Sequence, residues 1–267
     1  MKKISELSNL EGHVALITGG AGNIGSNMAM ALDEMGATVV IVDKHEDRCM
    51  AVLEKIQKVS DKKHTYFLAD LEKEKEVLSI VDSVSKKFGQ LDVLINNAAF
   101  VGESDLEGFT TPFKDQSIKT WRRALEVNLS VPFLLSQKFA PLLSKNKRGS
   151  IINIGSTYGI VGPDMSIYEG TDMGNPAAYA ASKGGLIQLT RWLSTILAPD
   201  IRVNAISPGG VSRGQPASFQ EKYVKKTPLG RMAEESDYIG ATVFLASQLS
   251  KYVTGSNLVV DGGWTAW

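Results

Sequence analysis

Short apolar runs alternate with longer helix-period stretches along most of this chain. Because the apolar runs are nearly free of polar positions, they predict strands that are buried on both faces. These runs are rich in β-branched residues and lie at residues 13–18, 38–43, 65–70, 92–97, 150–156, 201–207 and 257–261. The stretches between them repeat apolar residues at the spacing of one helix face, near residues 24–35, 46–59, 72–88, 118–143, 177–198 and 234–247.

This alternation of strand and helix predicts an α/β fold with a parallel sheet. Right-handed crossovers between parallel strands place helices on both faces of such a sheet. No linker or internal repeat divides the chain, so we expect a single domain over residues 1–267. Three long irregular segments follow predicted strand ends, where open α/β sheets bind their ligands, and we expect active-site loops at residues 99–117, 157–176 and 208–230.

Composition narrows the classes of partner. The 267 residues include 29 Lys plus Arg against 29 Asp plus Glu. The chain has no basic block and no apolar run of about 20 residues, so we expect neither nucleic acid nor a membrane as partner. The single cysteine, Cys49, cannot form an internal disulfide, which fits a reducing cytoplasm. His13, His45 and His64 lack the spacing of metal ligands, and we expect no metal site.

A glycine-rich turn joins the first predicted strand to the first predicted helix. In "LITGGAGNIGSNMA", Gly19, Gly22 and Gly25 form Gly-x-x-Gly-x-x-Gly, whereas another common register has a glycine where Asn23 stands. Glycines in this position let the backbone approach a pyrophosphate, which binds the N–H groups of the helix start. Asn23 tolerates left-handed geometry, and its amide is a donor for phosphate. The alternative is a tight strand–helix turn that binds nothing.

An acidic residue ends the second predicted strand. Asp43 closes "TVVIVD" at about the spacing after the glycine loop where a carboxylate accepts the ribose hydroxyls of NAD. A 2′-phosphate beside this carboxylate is repelled, so we expect NAD rather than NADP. Lys44 and Arg48 are close in sequence and leave NADP possible. The alternative role for Asp43 is a cap for the predicted helix 46–59.

A second set of residues suits acid–base chemistry. Tyr179 and Lys183 are four apart on a predicted helix and therefore share one face. An ammonium close to a phenol favours the phenolate and lowers the pKa of the phenol, which otherwise lies near 10. Ser156 ends one strand and Asn128 lies in a neighbouring helix, so both are expected near the cofactor end of the sheet. By itself the Tyr179–Lys183 pair has a simpler alternative, a surface pair on a helix.

Taken together, these motifs resemble the short-chain dehydrogenase/reductase family from about residue 10 to the C-terminus. The Thr18–Gly25 loop, "NNAA" at 96–99, Asn128, Ser156, Tyr179/Lys183, "SPGG" at 207–210 and "VVDGG" at 259–263 occur in that order. The resemblance implies a single-domain Rossmann fold, with a doubly wound sheet of about seven strands. It also implies an NAD(P)-dependent oxidoreductase that acts on CH–OH groups.

The resemblance also implies a role for each matching residue. Tyr179 would be the acid–base, Ser156 would orient the substrate and Asn128 would support a water-mediated proton relay. Lys183 would bind the nicotinamide ribose and tune Tyr179. The backbone near Val211 would meet the carboxamide. With Tyr179 and Lys183, the implied cofactor contacts are Gly19, Gly22, Asn23, Ile24, Gly25, Asp43, Asp70, Leu71, Asn97, Ala98, Pro208, Gly209 and Val211.

The same resemblance predicts assembly. The stretches 118–143 and 177–198 are similar to the family's four-helix dimer contacts, so we expect a homotetramer or homodimer.

Two departures from the family pattern bear on the substrate. Ser156 and Tyr179 are separated by a longer stretch than is usual, and "VSRGQPASFQ" follows "SPGG" where a threonine is common. With these features the chain is most similar to a branch of bacterial surface-glycan and flagellin-modification oxidoreductases. Tyr158, Glu169 and Arg213 are therefore expected to contact a polar, sugar-like substrate. The alternative for the extra stretch is an oligomer contact or a capped surface loop.

Three functions remain open from the sequence. The leading one is an NAD(H)-dependent enzyme that interconverts a secondary alcohol and a ketone. A sugar dehydratase or epimerase would instead keep its nicotinamide bound through the cycle. A non-catalytic, cofactor-sensing protein is the third, but pure binding does not need an intact Asn128, Ser156, Tyr179 and Lys183 set.

Overall fold

A computed structural model of the chain describes residues 2–58, 60–101 and 105–267. Val59 and residues 102–104, which belong to the predicted helix 46–59 and the predicted loop 99–117, lie outside the described residues. The strands are β1 (Val14–Thr18), β2 (Thr38–Asp43), β3 (Thr65–Leu68), β4 (Val93–Asn96), β5 (Gly149–Ile154), β6 (Ile201–Pro208) and β7 (Asn257–Val260). All seven predicted strands are therefore present within a few residues of their expected bounds.

The α-helices lie between these strands and before the first of them. They are α1 (Ile4–Ser8), α2 (Asn23–Glu34), α3 (Glu46–Gln57), α4 (Glu74–Phe88), α5 (Ile118–Leu125), α6 (Val131–Ser144), α7 (Ala177–Leu197), α8 (Ala217–Lys225) and α9 (Ile239–Ala246). Within the part of the chain that the structure describes, no helix is long and apolar enough to cross a membrane.

The strands form one parallel sheet in the order β3-β2-β1-β4-β5-β6-β7. Apolar side chains cover both of its faces, with Met28 of α2 and Leu245 of α9 in one buried cluster. Val77 of α4 and Leu135 of α6 belong to the cluster on the other face. This doubly wound, seven-stranded arrangement confirms the predicted fold class. Its order also brings the segments after β4, β5 and β6 together at one end of the sheet.

The two edge strands differ from the prediction that every strand is buried on both faces. No residue of β3 or β7 is as buried as those of the central strands: Leu68 of β3 is 47% exposed and Val259 of β7 is 39% exposed. An edge strand has a neighbour on one side only, so its faces are less completely covered by helices. Apolar composition alone does not distinguish an edge strand from a central one.

The predicted helix 118–143 is interrupted. A π-helical turn, Glu126–Ser130, lies between α5 and α6, and the N–H of Val131 donates to the carbonyl of Glu126. Pro132 has no N–H, so it cannot donate to the carbonyl of Asn128 four residues earlier. This missing donor is the sequence signal for the interruption. It also places Asn128 in a type of distorted turn that is frequent at functional sites.

The segment 208–230 contains a helix where the sequence predicted only a loop. Helix α8 buries Phe219 and Tyr223, which are four residues apart and so share one face. Its single apolar pair is too short a pattern to be recognised as a helix from periodicity. The short helix α1 was also not predicted, and it buries none of its residues.

Candidate active site

The glycine loop is shaped by steric contacts between its own residues. Gly19 has a φ of +61°, in the left-handed region that favours glycine. A Cβ atom on Gly25 would collide with the carbonyl oxygen of Gly19. Gly22 is the N-cap of α2, and its N–H donates to the carbonyl of Gly19 at 3.0 Å. Asn23 is the first residue of α2 and is exposed, so the shifted register still places glycines where the backbone turns tightly.

Asn97 joins the loop to the next strand. Its Nδ2 donates to the carbonyls of Thr18 and Gly19, both at 3.0 Å. The Thr18 hydroxyl accepts from the backbone N–H groups of Asn97 and Ala98, both at 3.1 Å. These four bonds hold the ends of β1 and β4 together directly below the glycine loop.

A cavity of about 710 Å³ opens beside this loop. Asp43 lines it at the end of β2, and its Oδ1 accepts from the N–H groups of Lys44 (2.8 Å) and His45 (3.2 Å). The carboxylate therefore orders the turn before α3, whose N-cap is His45, rather than capping the helix itself. The other predicted cofactor residues that line this cavity are Gly19, Asp70, Leu71 and Ala98.

Arg123 of α5 also lines this cavity and was not predicted. Its Nε and a terminal nitrogen donate to the two carboxylate oxygens of Glu72, at 2.6 and 2.9 Å. Its guanidinium carbon lies 5.6 Å from the ring centroid of Phe100. With Lys44 and Arg48 in the same lining, the cavity combines three basic side chains with the carboxylates of Asp43, Asp70, Glu72 and Asp105. No sequence motif marks Arg123, because the fold alone brings α5 to the end of β3.

Helix α7 presents Tyr179 and Lys183 toward the end of β5. The Lys183 Nζ lies 5.8 Å from the centroid of the Tyr179 ring and donates to the carbonyl of Ile154 at 2.6 Å. Lys183 is 2% exposed, and this burial lowers the pKa of its ammonium to about 8. The two side chains are therefore neighbours in a buried site, and the alternative of a surface pair on a helix does not describe them.

Ser156 and Asn128 complete the predicted set from two other elements. Ser156 lies just beyond β5, is 5% exposed, and its hydroxyl accepts from the N–H of Tyr158 at 3.2 Å. Asn128 is fully buried, and its side chain accepts from the N–H of Phe100 (2.7 Å) and donates to the carbonyl of Phe100 (3.0 Å). Its Nδ2 also donates to the hydroxyl of Ser182 on α7, at 3.0 Å. The Asn128 side chain thus ties the loop after β4 to α7.

Ser156, Tyr179 and Lys183 line a second cavity, of about 390 Å³. Ala99 lines both cavities, so the two adjoin. The predicted cofactor residues Ile24, Asn97, Pro208, Gly209 and Val211 also line the second cavity.

The predicted substrate residues separate into two groups. Tyr158 and Arg213 line the second cavity, and Arg213 Nε lies 3.2 Å from a carboxylate oxygen of Glu235. Glu169 does not line it: its side chain is 75% exposed and lies next to Lys222. The structure therefore brings two of the three predicted substrate residues to the site and leaves Glu169 at the surface.

Val211 occupies a braced position beyond the "SPGG" turn. It pairs with Ala233 as an isolated parallel bridge, and its carbonyl accepts from Nε2 of Gln215 at 2.8 Å. Gln215 thus supports the backbone at the point where the family often has a threonine. This side chain is part of the unusual "VSRGQPASFQ" run, and its role was not predicted.

The family can be assigned from this geometry together with comparison to known proteins. The family model described as enoyl-(acyl carrier protein) reductase matches residues 19–265. The chain belongs to the short-chain dehydrogenase/reductase family. A curated relative, trans-4-hydroxycyclohexanecarboxylate dehydrogenase of Sinomonas cyclohexanicum, is 36% identical over 259 residues, which cover 95% of this chain and 93% of that protein. As a short-chain dehydrogenase/reductase, this chain is an NAD(P)-dependent oxidoreductase.

Two solved members of the family are similar over their whole length. A short-chain dehydrogenase from Leptospira borgpetersenii serovar Hardjo-bovis, solved with bound NAD⁺, is 36% identical with a TM-score of 0.83, covering 99% of this chain and 96% of that one. A gluconate 5-dehydrogenase from Burkholderia cenocepacia, solved with NADP and tartrate, is 28% identical with a TM-score of 0.85, covering 99% and 100%.

The residues of this chain fit a nicotinamide cofactor. The glycine loop leads directly into the N-terminus of α2, and the two adjoining cavities together extend from the end of β2 to the Tyr179–Lys183 pair. In the residues that the structure describes, no group of His, Cys, Asp and Glu could hold a metal ion.

Proposed function

We propose that this chain is an NAD(H)-dependent dehydrogenase that interconverts a secondary alcohol and a ketone on a polar, sugar-like substrate. One observation carries the proposal: Ser156, Tyr179 and Lys183 line the second cavity, which adjoins the first at Ala99. We call the first cavity, beside the glycine loop, the nucleotide cavity. A hydroxyl, a phenol and an ammonium are thereby placed where a substrate oxygen can lie against the nicotinamide end of the cleft.

The chemistry follows from these three groups. The Ser156 hydroxyl holds the substrate oxygen beside the Tyr179 phenol. Tyr179 removes the proton of that oxygen during oxidation and returns it during reduction. Lys183 is charged below a pKa of about 8, and its ammonium favours the phenolate form of Tyr179. When bound, the nicotinamide supplies or accepts the hydride. Asn128 as part of a proton relay remains a prediction.

The preference for NAD rests on Asp43. Its carboxylate lines the nucleotide cavity and is fixed there by two backbone N–H groups. A 2′-phosphate at this position would meet a like charge, whereas ribose hydroxyls would donate to it. Lys44, Arg48 and Arg123 line the same cavity, and their positive charges favour binding of a 2′-phosphate. Arg123, however, is already paired with Glu72.

A polar substrate is supported by the second cavity. Its lining includes Asp172, Asn175, Arg213 and Gln215, which offer carboxylate, amide and guanidinium groups. The names of two similar proteins refer to a hydroxylated ring acid and to gluconate, both of which combine hydroxyl and carboxylate groups. Placement in the surface-glycan branch of the family remains a prediction.

A substrate screen tests the proposal. Polyols, sugars and sugar acids, together with their keto forms, are offered with each nicotinamide cofactor, and apolar ketones are offered in parallel. The absorbance band of the reduced cofactor is followed. We expect that band to rise with polyhydroxylated alcohols and NAD. Turnover of apolar ketones alone would contradict the proposed substrate, and product formation without any change in the band would favour the dehydratase or epimerase.

We also propose that the chain assembles through α5, α6 and α7 as a homotetramer or homodimer. These helices carry large apolar side chains that are exposed in the single chain, namely Ile118 (64%), Phe133 (41%), Trp192 (53%) and Ile196 (60%). Burial of such side chains at an interface is favourable by about 25 cal/mol per Å². The mass of the particle by light scattering measures the number of subunits, and a monomer at micromolar concentration would contradict the proposal.

We place the assembled enzyme in the cytoplasm, where the buried thiol of Cys49 stays reduced.

A further inference from the structure

One side of the second cavity, which we call the substrate cavity, is a continuous aromatic surface. Four rings line it, those of Tyr158, Tyr168, Phe219 and Tyr223, and we call them the aromatic wall. The ring centroids of Tyr168 and Phe219 are 5.4 Å apart, and those of Phe219 and Tyr223 are 5.8 Å apart, with tilts of 38° and 34°. Tyr158 joins the wall through its hydroxyl, which lies 2.8 Å from the hydroxyl of Tyr168.

The aromatic wall is held in place from behind. Trp264 stacks on Tyr223 with a centroid distance of 5.6 Å and an interplanar angle of 16°, and its ring meets Tyr158 edge-on at 5.6 Å and 87°. The Tyr223 hydroxyl accepts from the N–H of Gly210 at 2.6 Å. Burial raises the pKa of Tyr223 to about 12, so its hydroxyl is uncharged at neutral pH. The wall is therefore an uncharged surface whose shape is fixed by packing.

The size of the cavity limits what can lie on this wall. Its volume is about 390 Å³, and the same space is lined by Val211, whose backbone the family resemblance places at the nicotinamide carboxamide. The nicotinamide ring and the substrate must therefore share the volume. Such a space suits one compact group, since whole ligand pockets span about 300–1,000 Å³.

We propose that the substrate is a ring-shaped secondary alcohol, a carbocycle or a pyranose, whose apolar face lies on the aromatic wall. The C–H groups of a ring face contact aromatic rings over a broad area. A ring also has few torsions to lose on binding, whereas an open chain must have several fixed to lie flat. This inference rests on the proposed dehydrogenase function, because it names the shape of the substrate for the same site.

Binding to the protein–NADH complex tests the shape without turnover, because an alcohol cannot be oxidised when the cofactor is already reduced. Two matched pairs are titrated by calorimetry: cyclohexanol with the linear secondary alcohol of the same carbon number, and inositol with sorbitol. We expect the cyclic member of at least one pair to bind about threefold to tenfold more tightly than its open-chain partner. Open-chain members that bind equally well or better in both pairs would overturn the proposal.

Two substitutions separate ring contact from hydroxyl contact. Phe219→Leu removes a ring of the wall but keeps an apolar side chain of similar volume, so we expect it to fold and to lose the ring preference. Tyr168→Phe keeps the ring and removes the hydroxyl, so we expect the preference to remain. Met165→Ala is the control, because Met165 is on the same short segment as Tyr168, is 54% exposed and does not line the cavity. A preference that survives Phe219→Leu, or that Tyr168→Phe abolishes, would overturn the proposal.

A turnover assay with NAD and NADP keeps this inference separate from the proposed function. Preferential binding of rings with no oxidation of any alcohol would contradict the dehydrogenase and leave the substrate shape in place. Oxidation of alcohols with no ring preference in either pair would contradict the substrate shape and leave the dehydrogenase function in place.

Discussion

The nucleotide cavity takes most of its lining from residues within a few positions of a strand end, whereas the substrate cavity takes much of its lining from distant positions. Gly19 and Asp70 follow β1 and β3 almost directly, and Asp43 ends β2. Phe219 and Tyr223 are on α8, well beyond the end of β6. In the first cavity the sheet itself positions the lining through backbone geometry. In the second, side-chain packing of two long segments positions it.

This difference decides which substitutions alter each half of the cleft. A cavity built from backbone turns and short loops changes little when one side chain is replaced, unless that side chain carries the recognising charge. A cavity built from packed side chains changes shape when one ring is lost. The proposed catalytic pair, Tyr179 and Lys183, lies where the two halves meet, and substitutions there are expected to have the largest effects.

The largest effect is expected from Tyr179→Phe. The variant keeps the ring on α7 but removes the proton-transferring hydroxyl, and general acid–base groups contribute about 10²–10⁴-fold to rate. We expect kcat to fall by at least that range, with the dissociation constant of NADH close to that of the wild type. Steady-state kinetics and cofactor fluorescence measure the two quantities. Retention of most of the activity would show that the proton moves through another group.

Lys183→Met is expected to reduce activity and stabilise the cofactor-free protein. Burial lowers the pKa of Lys183 to about 8 from an ordinary value near 10.5. A lowered pKa means that the folded state binds the proton less well, so the cost to stability is complete below pH 8. That cost is roughly 3 kcal/mol at about 1.4 kcal/mol per pKa unit. Methionine fills similar space without charge, so the variant should unfold at higher temperature at pH 7.

The pH dependence of the stability difference tests whether the charge of Lys183 causes it. The excess stability of Lys183→Met over the wild type should shrink as the pH rises from about 8 to about 10.5, because the lysine then loses its proton in both states. Urea unfolding of both proteins at several pH values measures the difference. A difference that is independent of pH over this range would mean that the stabilisation comes from packing. Lys183→Arg, which keeps a charge, should not gain stability at pH 7.

The extent to which the sequence predicts the molecule follows the same division. The strands, the glycine loop and Asp43 were predictable because buried parallel strands are apolar and because a tight strand–helix turn requires glycine. Tyr179 and Lys183 were predictable because the helical period fixes their common face. The aromatic wall was not, because Tyr168, Phe219 and Trp264 are far apart in the chain and only tertiary packing joins them. Glu169 was assigned to the substrate because its segment connects two predicted catalytic residues, but only part of that segment lines the cavity, and the Glu169 side chain faces solvent.

Asp43→Ala is expected to act on the nucleotide half alone. Removing the carboxylate takes away the repulsion of a 2′-phosphate and the acceptor for ribose hydroxyls. The affinity for NADPH should therefore rise relative to the affinity for NADH. Like charges in contact cost several kcal/mol, so the ratio of the two dissociation constants should change by about tenfold or more. Fluorescence titration with each cofactor measures the ratio. Asp43→Asn is the matched control: it keeps the size and a ribose acceptor but removes the charge.

An unchanged ratio in Asp43→Ala would mean that Lys44 and Arg48, which line the same cavity, dominate the choice of cofactor. Wild-type protein that binds NADPH at least as tightly as NADH would contradict the proposed preference directly. Either result would leave the substrate half of the cleft unaffected, because Asp43 does not line it.

The smallest effect is expected from Arg213→Ala, which tests the polar side of the substrate cavity. Arg213 lines that cavity with its Nε next to Glu235, and a charged hydrogen bond to a substrate carboxylate or phosphate contributes about 1.5–3 kcal/mol. We expect KM for an acidic substrate to rise by about tenfold or more, with kcat and the cofactor dissociation constant little changed. Glu169→Ala provides the contrast on the opposite segment, because Glu169 lies at the surface outside the cavity and should leave KM unchanged. If Arg213→Ala raises KM equally for acidic and neutral substrates, Arg213 shapes the cavity through Glu235 instead of binding the anion. If Glu169→Ala raises KM and Arg213→Ala does not, the substrate approaches over the exposed part of the 157–176 segment, and the polar side of the cleft lies there.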